Sequence, residues 1–167
     1  MEHLTIIRLE DSEIESLIPL AHRIWHAHYP GIITTEQIDY MLERGYTPQI
    51  IRDEIDHQGV IWLAIKDDGD MIGFASVGPY APGVMKLHKL YLLPEHHGSG
   101  IGARALAEVE RIARNQAATA LVLNVNRHNI KAIKAYQRAG WQVSEEIVAD
   151  IGNGYVMDDF IMTKRLV

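Results

Sequence analysis

The chain has 167 residues, long enough for one domain with a real core (1–167), and its 47% apolar and 23% charged content is that of a soluble globular protein. Cysteine is absent, which excludes disulfides, thiolate metal sites and cysteine nucleophiles and fits a reducing, cytoplasmic setting. The N-terminus lacks the basic segment and apolar core of a signal peptide, and no apolar run nears the roughly 20 residues of a membrane span.

In chain order, Leu4–Leu9 reads as a strand, and Asp11 or Ser12 caps a helix whose Ile14, Leu17, Ile18, Ala21, Ile24 and Trp25 recur at helical spacing. Pro30-Gly31 ends it. Thr34 or Thr35 caps a second helix through Glu43, and Thr47-Pro48 opens a third through Asp56. Val60–Lys66 and Met71–Val77 are strands joined by a tight turn at Asp67–Asp70. Gly78-Pro79 and Ala81-Pro82-Gly83 punctuate the next connection. Val84–Leu93 is a long strand, Arg104–Gln116 a helix, Ala120–Val125 a strand, and Asn129–Ala139 a helix stopped by Gly140. Trp141–Ala149 and Tyr155–Thr163 close the chain as two strands. The expected fold is α/β (α+β), a single mixed and mostly antiparallel sheet of about seven strands flanked by helices, with one parallel strand pair.

The segment Leu90-Tyr91-Leu92-Leu93-Pro94 runs into glycines at alternate positions, Gly98, Gly100 and Gly102. A strand, a glycine loop and a helix N-terminus present several backbone N–H groups to one point, with the helix dipole behind them, and phosphate is the natural guest. No Gly-Lys occurs, which excludes a P-loop, and the alternate spacing does not match the dinucleotide fingerprint Gly-x-Gly-x-x-Gly. Net charge is −6, but residues 86–140 carry nine basic against three acidic side chains, while residues 1–60 carry four against eleven. The basic block holds the glycine loop, so an anionic cofactor is drawn there and a cationic partner to the acidic remainder.

His97-Gly98-Ser99-Gly100-Ile101-Gly102 resembles the pyrophosphate motif of the GCN5-related N-acetyltransferases (GNAT), Gln/Arg-x-x-Gly-x-Gly/Ala, with His97 replacing the usual Gln or Arg. Asn129, Ala132, Tyr136 and Gly140 fall on the other motif of that family, Asn-x-x-Ala-x-x-x-Tyr-x-x-x-Gly-Phe, with Trp141 for Phe. Residues 60–166 resemble the family's acetyl-CoA-binding core, and residues 1–59 its variable acceptor side. The stretch from Trp25 to Tyr40, with the ending Tyr155–Lys164, is similar to the PaiA-type polyamine acetyltransferases.

The resemblance implies a sheet with a splayed parallel pair and an acetyl-CoA-dependent N-acetyltransferase acting by direct transfer, without metal. The backbone of Leu90, Tyr91 and Leu92 would pair with the pantetheine arm. The amides of Gly98, Ser99, Gly100, Ile101, Gly102 and Ala103, with His97 beside them, would hold the pyrophosphate. Asn129 would contact the cofactor and Tyr136 would act as general acid toward the leaving thiolate. Some relatives carry a glutamate base where this chain has Asn124, which cannot take a proton at neutral pH. His88 shares the strand face of Leu90 and is the candidate base. Trp25, His26 and Tyr29 are candidates for the acceptor side. The partner would be a small-molecule or peptide amine, with no nucleic acid and no membrane, and a homodimer is left open. A non-catalytic acyl-CoA-binding or regulatory domain is the alternative. His22 and His26 lie four residues apart, a zinc-compatible spacing, but no third ligand accompanies them. Asp158-Asp159 reads as a solvated strand end that could draw a cationic amine.

Overall fold

The structure is a computed structural model that describes residues 3–167. Its elements are β1 (Leu4–Arg8), α1 (Ile14–His28), α2 (Thr35–Gly45), α3 (Pro48–His57), β2 (Ile61–Asp67), β3 (Asp70–Ala81), β4 (Val84–Leu92), α4 (Ile101–Asn115), β5 (Ala120–Asn126), α5 (Ile130–Arg138), β6 (Gln142–Gly152) and β7 (Tyr155–Arg165). The seven strands form one sheet in the order β1-β2-β3-β4-β5-β7-β6. The β4–β5 pair is parallel, and β1–β2, β2–β3, β5–β7 and β6–β7 are antiparallel. This is the mixed sheet with helices expected from the sequence.

The turns follow from local chemistry. Asp68 and Gly69 at φ 52° and 87° join β2 to β3, and Asn153 and Gly154 at φ 53° and 79° join β6 to β7. Left-handed pairs of this kind match the twist of the strands they connect. Thr34 and Thr47 cap α2 and α3, accepting from the amides of Gln37 (3.1 Å) and Ile50 (3.2 Å).

Three boundaries differ from the sequence reading. The cap ahead of α1 is Glu10, whose amide donates to Glu13 Oε1 (2.9 Å) in a reciprocal capping box around a 3-10 turn. β3 runs through Gly78-Pro79 to Ala81, because Pro79 sits at the exposed end of the strand. α4 begins at Ile101 rather than Arg104, directly on the last left-handed glycine.

Two compact units can be described. The first holds the residues up to Pro79 together with Leu87–Val109, and the second holds Tyr80–Lys86 with Glu110–Val167. In the first, α1–α3 pack Leu17, Ile24, Trp25, Ile38, Leu42 and Ile51 into a core with Trp62, Ile65 and Phe74 of the sheet. Gly73 is required there, since a Cβ would run into the Tyr91 carbonyl oxygen and lie 2.7 Å from Leu92 Cδ2. The close approach seats the end of β4. In the second unit, Leu121, Leu123, Trp141 and Met162 are buried. Lys164 donates to Ala139 O (2.7 Å) behind α5 and pairs with Glu110 on α4 (2.6 Å).

Candidate active site

The glycine loop grows out of the end of β4. Leu93 N donates to Ile72 O (2.9 Å), and Pro94–His96 forms a 3-10 turn closed by His96 N→Leu93 O (2.9 Å) and His97 N→Pro94 O (3.1 Å). The Ser99 hydroxyl donates to His96 O (2.7 Å). Gly98 and Gly100 take φ 77° and 82°, left-handed values that a side chain would strain. The first bond of α4 runs from Arg104 N to Gly100 O (3.2 Å), so the amides of Ile101, Gly102 and Ala103 precede the helical ladder and point out of its N-terminus. A Cβ at Gly98 or Gly102 would meet nothing within 4 Å, so the loop has room over those amides. His97, at the family's Gln/Arg position, turns its Nε2 toward Leu92 O (3.1 Å), tying the loop back to the strand.

Of the residues expected from the sequence on the acceptor side, Trp25 and Tyr29 are inward-facing and only 4% and 7% exposed. Trp25 Nε1 donates to the Tyr46 hydroxyl (3.2 Å), and the Tyr29 and Tyr91 hydroxyls share a hydrogen bond (2.9 Å). Trp25 also lies 5.6 Å from the Tyr91 ring, so these aromatics brace the strand that leads into the loop. Burial pushes the Tyr46 hydroxyl well above the usual phenol value. His26 is exposed and faces Asp39 (3.0 Å). His88 is exposed on β4, two residues from Leu90.

In the second unit, Asn126 Oδ1 accepts from His128 N (2.9 Å), and Asn129 Oδ1 caps α5 by accepting from Ala132 N (3.4 Å). Asn129 is buried at 7% exposure, so its first duty is to start the helix that carries Tyr136. Tyr136 is half-buried, with its ring edge-on to Trp141 at 5.8 Å. Asp158 pairs with Arg127 (2.8 Å), which also reaches Glu146 (3.3 Å). Asp159 is not the solvated strand end the sequence suggested, being 6% exposed. β7 is the last strand in sequence but lies between β5 and β6 in the sheet, and Asp159 and Met162 are its buried side chains. Burial first, and Asp158 second, raise the Asp159 carboxyl from its ordinary 3.8 to about 6, against the pull of Lys86 and a hydrogen bond from Asn124. No sequence signal separated this carboxylate from its neighbour.

Residues 19–141 match the acetyltransferase (GNAT) family. The spermidine N(1)-acetyltransferase of Thermoplasma acidophilum is 28% identical over 166 residues, covering 97% of each chain. The crystal structure of the PaiA N-acetyltransferase from the same organism, in complex with coenzyme A, superposes with a TM-score of 0.82 over 97% of this chain and 98% of that one, at 28% identity. A GCN5-related N-acetyltransferase from Rhodopseudomonas palustris shares the fold at a TM-score of 0.80 and 17% identity, over 96% of this chain and 94% of that one. On the match over residues 19–141, the chain belongs to the acetyltransferase (GNAT) family.

Proposed function

We propose that this chain transfers the acetyl group of acetyl-CoA to a primary amine by direct attack in a ternary complex, with a polyamine of the spermidine class as acceptor. The observation that carries the reading is the glycine loop, where two left-handed glycines deliver the Ile101–Ala103 amides to an open helix N-terminus. A pyrophosphate fits such a cradle through main-chain donors and the helix dipole, without needing a side-chain cation at His97. Leu90, Tyr91 and Leu92 offer the pantetheine arm a strand backbone. Asn129 adds a contact to the cofactor. The similarity to the Thermoplasma spermidine enzyme over 97% of both chains supports the polyamine. The acidic balance of residues 1–60 suits a cationic acceptor. A cysteine-free chain working on acetyl-CoA belongs, in this reading, to the cytoplasm.

The amine must lose a proton to attack the thioester carbonyl, and the leaving thiolate must gain one. Tyr136 supplies the second, since a phenol is protonated at neutral pH. The first needs a base that is ionised or neutral, and so free to accept a proton, at the working pH. The test is thiol release from acetyl-CoA across a panel of polyamines, monoamines and peptide amines. Spermidine should be turned over, and Tyr136→Phe should lower kcat by about 10²–10³-fold while coenzyme A affinity holds. Coenzyme A binding with no turnover on any amine would make the chain a binding domain instead.

A further inference from the structure

Asp159 is the buried charge that no part of the fold explains. Its Oδ1 has no hydrogen-bond partner, although the residue is 6% exposed. An orphaned buried carboxylate oxygen is costly and rarely left without a purpose. Its surroundings are defined by the sheet register. Asp159 lies opposite Asn126 on β5, so Asn124, two residues back, shares its face. Lys86 of β4 pairs in register with Val122, which puts Lys86 on that face as well. From β6 the directly opposing residue is the uncharged Ile147, and Glu145, two residues back, brings a carboxylate to the same face. Arg127 is engaged by Asp158 and Glu146, so the cation acting on Asp159 is Lys86, whose Nζ rests over the Tyr80 ring at 5.6 Å. Asn124 is exposed, so this face opens to solvent one strand from the buried carboxylate.

We propose that Asp159, rather than His88, is the general base of the acetyl transfer, its carboxylate taking the proton from the acceptor ammonium. This role rests on the acetyltransferase reading above. Loss of that proton frees the nitrogen lone pair, which attacks the thioester carbonyl carbon. The C–N bond forms as the C–S bond breaks. The thiolate takes the Tyr136 proton, the second amine proton returns to Tyr136, and Asp159 releases its proton to water, so each turnover frees one proton. Burial makes the carboxylate about two orders of magnitude more basic than an ordinary aspartate, yet leaves it ionised at neutral pH, as a base must be.

The experiment is kcat/KM for spermidine between pH 5 and 9 at saturating acetyl-CoA, with coenzyme A affinity and melting temperature measured alongside. Wild type should show an acidic limb near pH 6. Asp159→Asn should lose the limb and about 10²-fold in kcat/KM at pH 7.5, with coenzyme A affinity unchanged. Lys86→Met removes the cation that favours the carboxylate, so it should move the limb to higher pH, a shift that a purely structural pair would not produce. His88→Ala should leave the limb in place. Turnover with an unaltered limb in Asp159→Asn, or loss of the limb in His88→Ala, would overturn this role alone. No turnover by wild type on any amine would overturn the acetyltransferase reading and this role with it.

Discussion

Gly100 and Gly102 lie two residues apart in one loop and should respond to alanine in opposite ways. Gly100 has φ 82°, and an alanine held there costs about 1–2 kcal/mol. Gly102 is already inside α4, outside the left-handed region, and its Cβ would meet nothing within 4 Å. Alanine there should stabilise the free protein by about 0.4–1 kcal/mol, because it loses less freedom on joining the helix. At about 2–4 °C per kcal/mol for a chain of this size, Gly102→Ala should raise the melting temperature by about 1–4 °C. Gly100→Ala leaves two outcomes. Either the strain is held and the melting temperature falls by about 2–8 °C, or the loop relaxes and its amides no longer converge. If the strain must be met on binding, coenzyme A affinity falls by about 5–30-fold. Gly102→Ala should change that affinity by less than about 3-fold, under 1 kcal/mol, since the family's motif admits Ala at this position. Scanning fluorimetry of the free protein and calorimetric titration with coenzyme A read both quantities. A Gly100→Ala protein with wild-type stability and wild-type affinity would refute the argument that the left-handed turn aims the amides.

Trp25→Ala should cost about 3–5 kcal/mol in urea unfolding, as for other buried aromatics, because the ring packs against Tyr29, Tyr46 and Tyr91. A cost below 1 kcal/mol would make the ring an acceptor contact and not part of the core. Glu13 is held below the usual carboxylate range by its hydrogen bond to Lys66, so its contribution is present above the unfolded value of 4.5 and is lost as pH falls through the folded one. Glu13→Gln should flatten that acid-side loss in stability measured from pH 5 to 2. Asp159 has the opposite sign: its raised value means stability falls as pH rises from about 4 to 6 and is level above. Asp159→Asn should therefore stabilise the protein at pH 7 by about 1–2 kcal/mol after allowance for solvent screening and for the cation left at Lys86, and lower stability at pH 7 would contradict the burial argument.

Much of the local structure around the glycine loop and α5 was readable from sequence because its signals are local. A left-handed turn favours glycine, an N-cap favours Asn or Thr, and a two-residue hairpin favours Asn-Gly or Asp-Gly, so Gly98–Gly102, Asn129 and the turns at Asp68 and Asn153 could be placed from neighbouring residues alone. Roles that depend on packing were less readable. Trp25 and Tyr29 look like a binding pair on a helix end, yet their hydroxyl and indole partners, Tyr91 and Tyr46, come from elements 62 and 21 residues away. His97 matches a motif position, but the carbonyl it faces belongs to the strand that ends before it. The extra length of β3 arises because Pro79 needs no ladder donor at a strand end, a matter of sheet position that the dipeptide Gly-Pro does not reveal.

Asp159 was the hardest residue to read, and the reason is topological. A strand that closes the chain looks like an edge, where adjacent aspartates are ordinary. The sheet order inserts β7 between β5 and β6, which turns an edge carboxylate into an interior one. The same insertion sets Asp159 beside Asn126 and on the face of Asn124, the position where some family members carry their acid. The missing glutamate at Asn124 and the buried aspartate on the next strand are therefore two sides of one observation. An amide at 124 cannot take a proton, but it can donate a hydrogen bond that keeps a neighbouring carboxylate ionised, and Asn124 does this toward Asp159. A stable sheet would put an uncharged residue at 159. A charge kept there at the expense of stability is what a site that must move a proton would retain.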